Sequence, residues 1–287
     1  MTDSAFVDTG SRGLGGGLEY ALDDRFCDWM RPYIVDEPTP SCAEIRAAVG
    51  RAFSRWGAEH PQLKFVDVTD QVTARLAERD GSSGGGAEVD VFAAQHFQDH
   101  NPRFRDATAY ARVLSRNSRP QGTNGQRMPG ETITEVDIVI DVRGCSYLDP
   151  ELTGTFDEPC SHLPSLMMHE IGHGLGLDHP YEFPNYHSED DPTKPIEIDC
   201  ENPTRGLQVI DNHDAHAVMA NGISSYHFHR RLGHDRAHLR PDDIGGRNFL
   251  YPVCDDEPQA NGASIDIPWI AGLAFGIGLR GILRRVR

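Results

Sequence analysis

The segment HEIGHGLGLDH, residues 169–179, constrains this chain more than any other part of its sequence. His169 and His173 are four residues apart, so on a helix both side chains project from the same face. Gly176 lets the chain leave the helix in a conformation that is costly for other residues, and such a turn would bring His179 back to the same point. The segment therefore predicts a helix, a sharp turn and three converging imidazoles.

This residue set is typical of a zinc ion that takes part in catalysis. Imidazole nitrogens bind zinc at about 2.0–2.1 Å, and three protein ligands leave one position open for water. Glu170 follows the first histidine, so its carboxylate can reach that water, take its proton and pass it to a leaving amine. We predict one Zn²⁺ held by His169, His173 and His179, with Glu170 as the catalytic residue of peptide-bond hydrolysis. A helix with surface histidines is the competing interpretation, and it leaves their spacing unexplained.

Composition excludes several other classes of protein. The chain has 287 residues, 38% of them hydrophobic and 25% charged, which suits one large domain with tails or two small domains rather than a disordered chain. Its net charge of −17 would repel phosphate backbones, so we expect no nucleic-acid partner. Cleavage chemistry instead predicts a protein or peptide substrate. The oligomeric state is left open.

Periodicity predicts a layered mixture of helices and strands. Ser41 and Glu44 form a capping box, and an apolar stripe with helical spacing runs from there to Trp56. Strands are predicted at 63–68, 87–94, 107–114 and 133–142, with a short one at 33–35. This order of elements is typical of an α/β or α+β layer fold. Residues 1–30 are Gly-rich and are expected to be an extension with little core of their own.

The zinc segment resembles that of the metzincin metallopeptidases, and the branch it resembles most is the matrixins. Met219, in AVMANG at 217–222, matches the metzincin Met-turn, and RPDDIGGRNFLYP at 240–252 matches the final matrixin helix. The resemblance implies an α+β catalytic domain over 31–255, with a twisted, mostly parallel sheet and two long helices in an upper subdomain, 31–179, and a smaller lower subdomain, 180–255. It also allows structural Ca²⁺ in addition to the catalytic zinc.

The same resemblance implies how a substrate binds. Residues 109–114 would form an edge strand that lines the cleft, and an extended peptide could add to it through main-chain hydrogen bonds. Two alternatives stay open. One is another metzincin branch, such as the pappalysin-like peptidases. The other is a catalytically inactive, zinc-stabilised binding module of the cell envelope.

Six widely spaced cysteines are typical of disulfides in an oxidising compartment. Cys145 and Cys160 are predicted to pair locally, whereas Cys27 is either in a disulfide or a latency ligand for the zinc. We expect a secreted or envelope-associated protein, although no signal peptide is visible at the N-terminus. In the predicted C-terminal tail, 256–287, an apolar run followed by arginines at 265–287 suits either membrane association or a packed terminal helix.

Overall fold

The computed structural model describes residues 4–6, 17–58, 60, 63–76, 84–95, 107–116, 131–149, 160–179, 218–219 and 238–251. All of these belong to the unit Met1–Cys254. The predicted tail 256–287 and most of the predicted lower subdomain 180–255 lie outside the described residues. Within the described part, no helix is both long enough and apolar enough to cross a membrane.

Six of the described strands form one mostly parallel sheet. Its strands are β1 Ser4–Ala5, β2 Leu18–Leu22, β3 Phe65–Asp67, β4 Val89–Ala94, β5 Ala109–Arg116 and β6 Glu131–Asp141. β6, β4, β2 and β3 pair in that order and in parallel, and β1 pairs in parallel with the start of β6. β5 runs antiparallel along β6 and pairs with no other described strand. The predicted α+β fold with a mostly parallel sheet is confirmed.

Helices and a small second sheet complete the described fold. The helices are α1 Phe26–Met30, a 3₁₀ turn Arg31–Tyr33, α2 Cys42–Gly57, α3 Leu163–Gly174 and α4 Pro241–Leu250. Strands β7 Ser146–Tyr147 and β8 Ser161–His162 pair in parallel. Because β8 ends where α3 begins, this small sheet fixes the start of the helix that carries the histidine segment.

Helix α2 forms as its sequence predicts. The Ser41 hydroxyl accepts the Glu44 amide at 3.3 Å, and the Glu44 carboxylate accepts the Ser41 amide at 2.7 Å, which completes the capping box. The apolar stripe is buried along its whole length. At its end, the Trp56 indole donates to the Met168 carbonyl at 2.8 Å, so α2 is bound directly to α3.

The sheet separates two apolar layers. Val136, Ile138 and Ile140 of β6 are fully buried in the larger cluster, together with side chains of α2 and α3. Val139 points to the opposite face and belongs to a smaller cluster that includes Phe92 and Tyr110. The alternation predicted for this strand is confirmed, and both of its faces are covered, as is usual in parallel sheets.

Two sequence expectations for the N-terminal region are wrong. Residues 1–30 are predicted to have little core of their own, but β2 lies between β3 and β4 and α1 buries Phe26 and Met30. The short strand predicted at 33–35 is reduced to a single bridge between Ile34 and Ser146, which follows the 3₁₀ turn Arg31–Tyr33. The glycines that precede β2 made this five-residue strand hard to recognise in the sequence. The 3₁₀ turn forms because proline favours the first turn of a helix.

Among the described residues, two disulfides join neighbouring elements. Cys145 pairs with Cys160, as predicted, with a Cα–Cα distance of 4.6 Å. Cys27 of α1 pairs with Cys42 at the start of α2, with a Cα–Cα distance of 5.5 Å. Because Cys27 is in a disulfide, its sulfur is not a thiolate that could bind zinc, so the disulfide interpretation of this residue is confirmed.

Candidate metal centre

Helix α3 is buried on almost every side, and this makes its polar residues informative. Eleven of its twelve residues are buried, and Pro164 lies in its first turn. A helix that is apolar all round belongs to the core of a protein, where a polar side chain is costly unless it finds a partner. His169 and Glu170 are only 9% and 4% exposed. They therefore need specific partners at this depth.

The turn after α3 has the geometry that the sequence predicts. Gly176 has a φ of +99°, in the left-handed region that side chains disfavour. Its amide donates to the His173 carbonyl at 2.9 Å, and the Leu177 amide donates to the Gly172 carbonyl at 3.0 Å. These bonds satisfy the last carbonyls of the helix and turn the chain back along it. His179 is thereby returned to the face that carries the other two histidines.

The three Nε2 atoms lie at the corners of a nearly equilateral triangle. Nε2 of His169 is 3.1 Å from Nε2 of His173 and 3.1 Å from Nε2 of His179, and the third side measures 3.2 Å. Three nitrogens bound to one tetrahedral zinc at about 2.0–2.1 Å stand about 3.3–3.4 Å apart. The spacing of the triangle is therefore close to that of a shared ion.

Hydrogen bonds on the far side of the rings orient two of the imidazoles. Nδ1 of His169 donates to the Val218 carbonyl at 2.7 Å, and Nδ1 of His173 donates to the Leu177 carbonyl at 2.7 Å. A carbonyl only accepts, so in each neutral ring the proton is on Nδ1 and the Nε2 lone pair faces the triangle. Burial, followed by the charge of His173, lowers the pKa of His169 to about 3. The donor set thus fits zinc.

Glu170 follows His169 on α3, and its carboxylate is bound on the side of the edge strand. Its carboxylate accepts a hydrogen bond from the backbone amide of Ala111, in β5. Burial raises the pKa of Glu170 to about 8, and the bond from Ala111 opposes that rise. A carboxyl with a raised pKa, one residue along the chain from His169, has the character of a general acid and base.

Met219 packs beneath α3 and fixes the distance between this helix and the segment that contains Met219. Gly172 of α3 faces the Met219 sulfur so closely that any Cβ at this position would overlap it, and the Trp56 ring would be 2.8 Å away. Met219 itself is 2% exposed. The predicted Met-turn residue therefore lies directly under the histidine helix, and the preceding residue, Val218, supplies the carbonyl that orients His169.

Asp243 of α4 holds this turn in place, a role that the sequence did not reveal. Its carboxylate accepts the amides of Val218 at 2.9 Å, Met219 at 3.1 Å and Arg240 at 2.8 Å. Burial raises the pKa of Asp243 to about 6, although the three amides oppose the rise. The sequence placed Asp243 only at the positive end of a helix, because its bonds to residues about 25 positions away leave no local signal.

Helix α4 also supports the end of α3. The Tyr251 hydroxyl donates to the Leu175 carbonyl at 2.8 Å. Arg247, which is 4% exposed, donates to the carbonyls of Trp56 and Ala58 at the end of α2. These bonds join α4 to both α2 and α3, so the histidine triangle rests on a framework of three helices.

A second group of buried ionisable side chains lies within the sheet. Asp90, Glu135 and Asp137 bring carboxylate oxygens within 4.8 Å of one another. Asp90 accepts the amides of Arg75 and Ala87. Burial, and secondarily the charge of Glu135, raises the pKa of Asp90 to about 6. The structural calcium implied by the family resemblance stays a prediction.

Comparisons with known proteins add little to this geometry. No protein-family model and no curated protein matches the chain. Among solved structures, the chain is similar to high choriolytic enzyme 1, a hatching enzyme zinc-protease of the medaka fish Oryzias latipes. The two are 14% identical over 86% of this chain and 93% of that one, with a TM-score of 0.36. The case for a function therefore rests on the arrangement of the site itself.

Proposed function

We propose that this chain is a zinc-dependent endopeptidase of the metzincin type, with a matrixin-like catalytic domain. The observation that carries the proposal is the triangle of Nε2 atoms, with sides of 3.1–3.2 Å, together with the buried Glu170 that follows His169 in the chain. His169, His173 and His179 would hold the ion. When bound there, zinc would lower the pKa of a water molecule and polarise a substrate carbonyl.

The residues of the chain would then carry out the proton transfers. Glu170 would accept the proton of the attacking water and deliver it to the nitrogen of the leaving amine. The carbonyls of Val218 and Leu177 would keep two imidazoles in the tautomer that presents Nε2 to the ion. Burial of Glu170 excludes bulk water, which strengthens its electrostatic interactions within the site.

We expect an extended stretch of polypeptide as the substrate. β5 pairs only with β6 among the described strands, and it lies next to α3. A peptide that added to β5 would gain main-chain hydrogen bonds without needing a particular sequence. Its scissile bond would then pass close to Glu170, which already contacts this strand.

The proposed location is outside the cytoplasm or at the cell envelope. Both described disulfides join elements of the catalytic core, and disulfides persist in oxidising compartments. Association with a membrane through residues 265–287 stays a prediction, because these residues lie outside the described ones.

The proposal is tested by measuring zinc content and cleavage of unfolded casein on the same samples. The purified protein should contain one zinc per chain and cleave casein, and a chelator should abolish cleavage. His173→Ala should lose both zinc and activity. Glu170→Ala should keep the zinc and lose activity, because it removes the proton carrier but no ligand.

Two outcomes would count against the proposal. Zinc binding without cleavage of any unfolded protein would favour the inactive binding module. Equal activity of the parent protein and Glu170→Ala would show that the proposed proton transfers are wrong. As a control for altered folding, the circular dichroism spectra of the variants should match that of the parent protein.

A further inference from the structure

The direction of main-chain groups along β5 follows from its pairing with β6. The Asp141 amide donates to the Thr108 carbonyl at 2.9 Å, so the main-chain groups of Thr108 face β6. Successive residues of a strand point these groups to opposite sides. The main-chain groups of Ala111 therefore face away from β6, toward the edge of the sheet that no described strand covers.

The register on β6 gives the same answer independently. Ala111 stands opposite Ile138. The Val136 amide donates to the Glu88 carbonyl at 2.9 Å, on the β4 side, so the main-chain groups of Ile138, two residues on, also face β4. Ile138 therefore cannot pair with the Ala111 amide, which is left for a partner on the side of β5 that faces no described strand.

That partner is Glu170. The Ala111 amide donates to its carboxylate, which is 4% exposed and lies on a helix packed against β5. A glutamate side chain has several rotatable bonds and therefore many conformations. A buried hydrogen bond to a fixed amide limits it to a few of these conformations. Hydrogen bonds to a carboxylate are also about twice as strong as neutral ones. The edge strand therefore fixes the orientation of this carboxylate.

We propose that the Ala111 amide is a positioning donor, which holds Glu170 against the histidine triangle and stays bonded to it when an extended peptide adds to β5. The catalytic meaning of this inference rests on the proposed peptidase function, but the hydrogen bond itself does not. Two amides of β5 that face away from β6 would thus have different roles. The Ala111 amide serves the catalytic residue, whereas that of Val113 is left to a substrate.

Amide hydrogen exchange of the zinc-loaded protein tests the bond without measuring activity. In the parent protein the Ala111 amide should be protected. Glu170→Ala should speed its exchange by about tenfold or more, because it removes a charged acceptor. Glu170→Gln keeps an acceptor oxygen and should preserve most of the protection. Exchange at Ala109 and Val113 should not change in either variant.

An amide-to-ester replacement tests the consequence for catalysis. Ala111→lactic acid removes the N–H and keeps the shape of the side chain, and the matched replacement at Val113 is 2-hydroxyisovaleric acid. We expect the ester at 111 to lower kcat at least about tenfold with zinc content unchanged. The ester at 113 should mainly raise KM.

The outcomes distinguish this inference from the proposed function. Ala111 exchange that is indifferent to Glu170→Ala would overturn the inference, whether or not the protein cleaves casein. The inference would also be overturned if the ester at 111 and the ester at 113 had the same effect on kcat and the same effect on KM. If the parent protein is inactive while Ala111 protection depends on Glu170, the peptidase proposal fails and the hydrogen bond stands.

Discussion

Two triads of ionisable side chains lie among the described residues, and their polar atoms are arranged differently. In the histidine triad, residues 169, 173 and 179, two rings donate outward to carbonyls and all three Nε2 atoms turn inward. In the carboxylate triad, Asp90, Glu135 and Asp137, two members accept amides from surrounding loops. The first arrangement leaves its lone pairs for a shared ion, whereas the second ties the segments around Arg75 and Gly84 to the sheet.

The difference shows why proximity of donors does not define a reactive site. A buried imidazole can be neutral at physiological pH, so three of them converge without like-charge repulsion. Three carboxylates within 4.8 Å repel one another unless protons or other partners compensate. The histidine triad is also partly open, since His173 and His179 are intermediate in exposure, whereas all three carboxylates are buried. Solvent access and the absence of like-charge repulsion both favour the histidine triad as the reactive site.

The largest expected effect contrasts two buried glutamates that receive the same substitution. Glu170→Gln should lower kcat by about 10²–10⁴-fold, because an amide cannot carry the proton. Glu135→Gln should leave kcat close to that of the parent protein, because its carboxylate contacts the Gly84 amide rather than the histidines. Steady-state kinetics on an unfolded protein substrate measures both. A similar loss of kcat in both variants would remove the distinction between the triads.

A smaller effect is expected when the support of the histidine triad is weakened. Asp243→Asn replaces one acceptor oxygen by an N–H donor, which would face amides that now donate to it. We expect zinc affinity to fall by about 10–100-fold, because this carboxylate fixes the carbonyl that orients His169. Competition with a chromophoric chelator measures the affinity.

Asp36 provides the matched control for that variant. It too is a buried carboxylate that accepts two backbone amides, from Leu148 and Asp149, at 2.9 and 2.7 Å. Asp36→Asn should cost comparable stability but leave zinc affinity unchanged, because its amides belong to a loop without a zinc ligand. Equal losses of affinity in the two variants would show that the effect is a general consequence of destabilisation.

The smallest effect concerns the pH dependence of the carboxylate triad. The pKa of Asp90 rises from 3.8 to about 6, so the folded protein holds a proton that the unfolded chain releases between these values. The stabilising contribution of Asp90 is therefore complete below the lower value and is lost as the pH rises through the upper one. Glu135→Gln removes the neighbouring charge and should raise Tm by about 2–4 °C near pH 8, corresponding to roughly 1 kcal/mol.

Thermal unfolding of the Glu135→Gln variant near pH 4 serves as the control. There Asp90 is largely protonated, so the difference in Tm from the parent protein should shrink. A gain in Tm that is the same at both pH values would mean that repulsion within the triad is not its cause.

Local patterns in the sequence predicted much of the fold and the core of the site. The capping box of α2, the alternation of β6 and the turn at Gly176 depend on neighbouring residues, and each is observed. The spacing of the three histidines is also a local property, because one helix and one turn bring them together.

Long-range contacts explain what the sequence did not predict. Strand β2 is short, and its place between β3 and β4 depends on pairing partners far along the chain. The sequence predicted correctly that Asp137 lies on the face of β6 opposite Val136. It did not predict that this face is buried, because the burial depends on the second apolar cluster. The bonds from Asp243 to the Met-turn and from Ala111 to Glu170 likewise join separate segments.

X-ray absorption at the zinc edge tests the central claim most directly, since it identifies the ligands of the ion. For the zinc-loaded protein we predict nitrogen or oxygen ligands at about 2.0–2.1 Å, with the multiple scattering of three imidazoles. The His179→Ala variant should show the scattering of two imidazoles or bind no zinc. Coordination by oxygen alone, or a spectrum that His179→Ala leaves unchanged, would contradict the account.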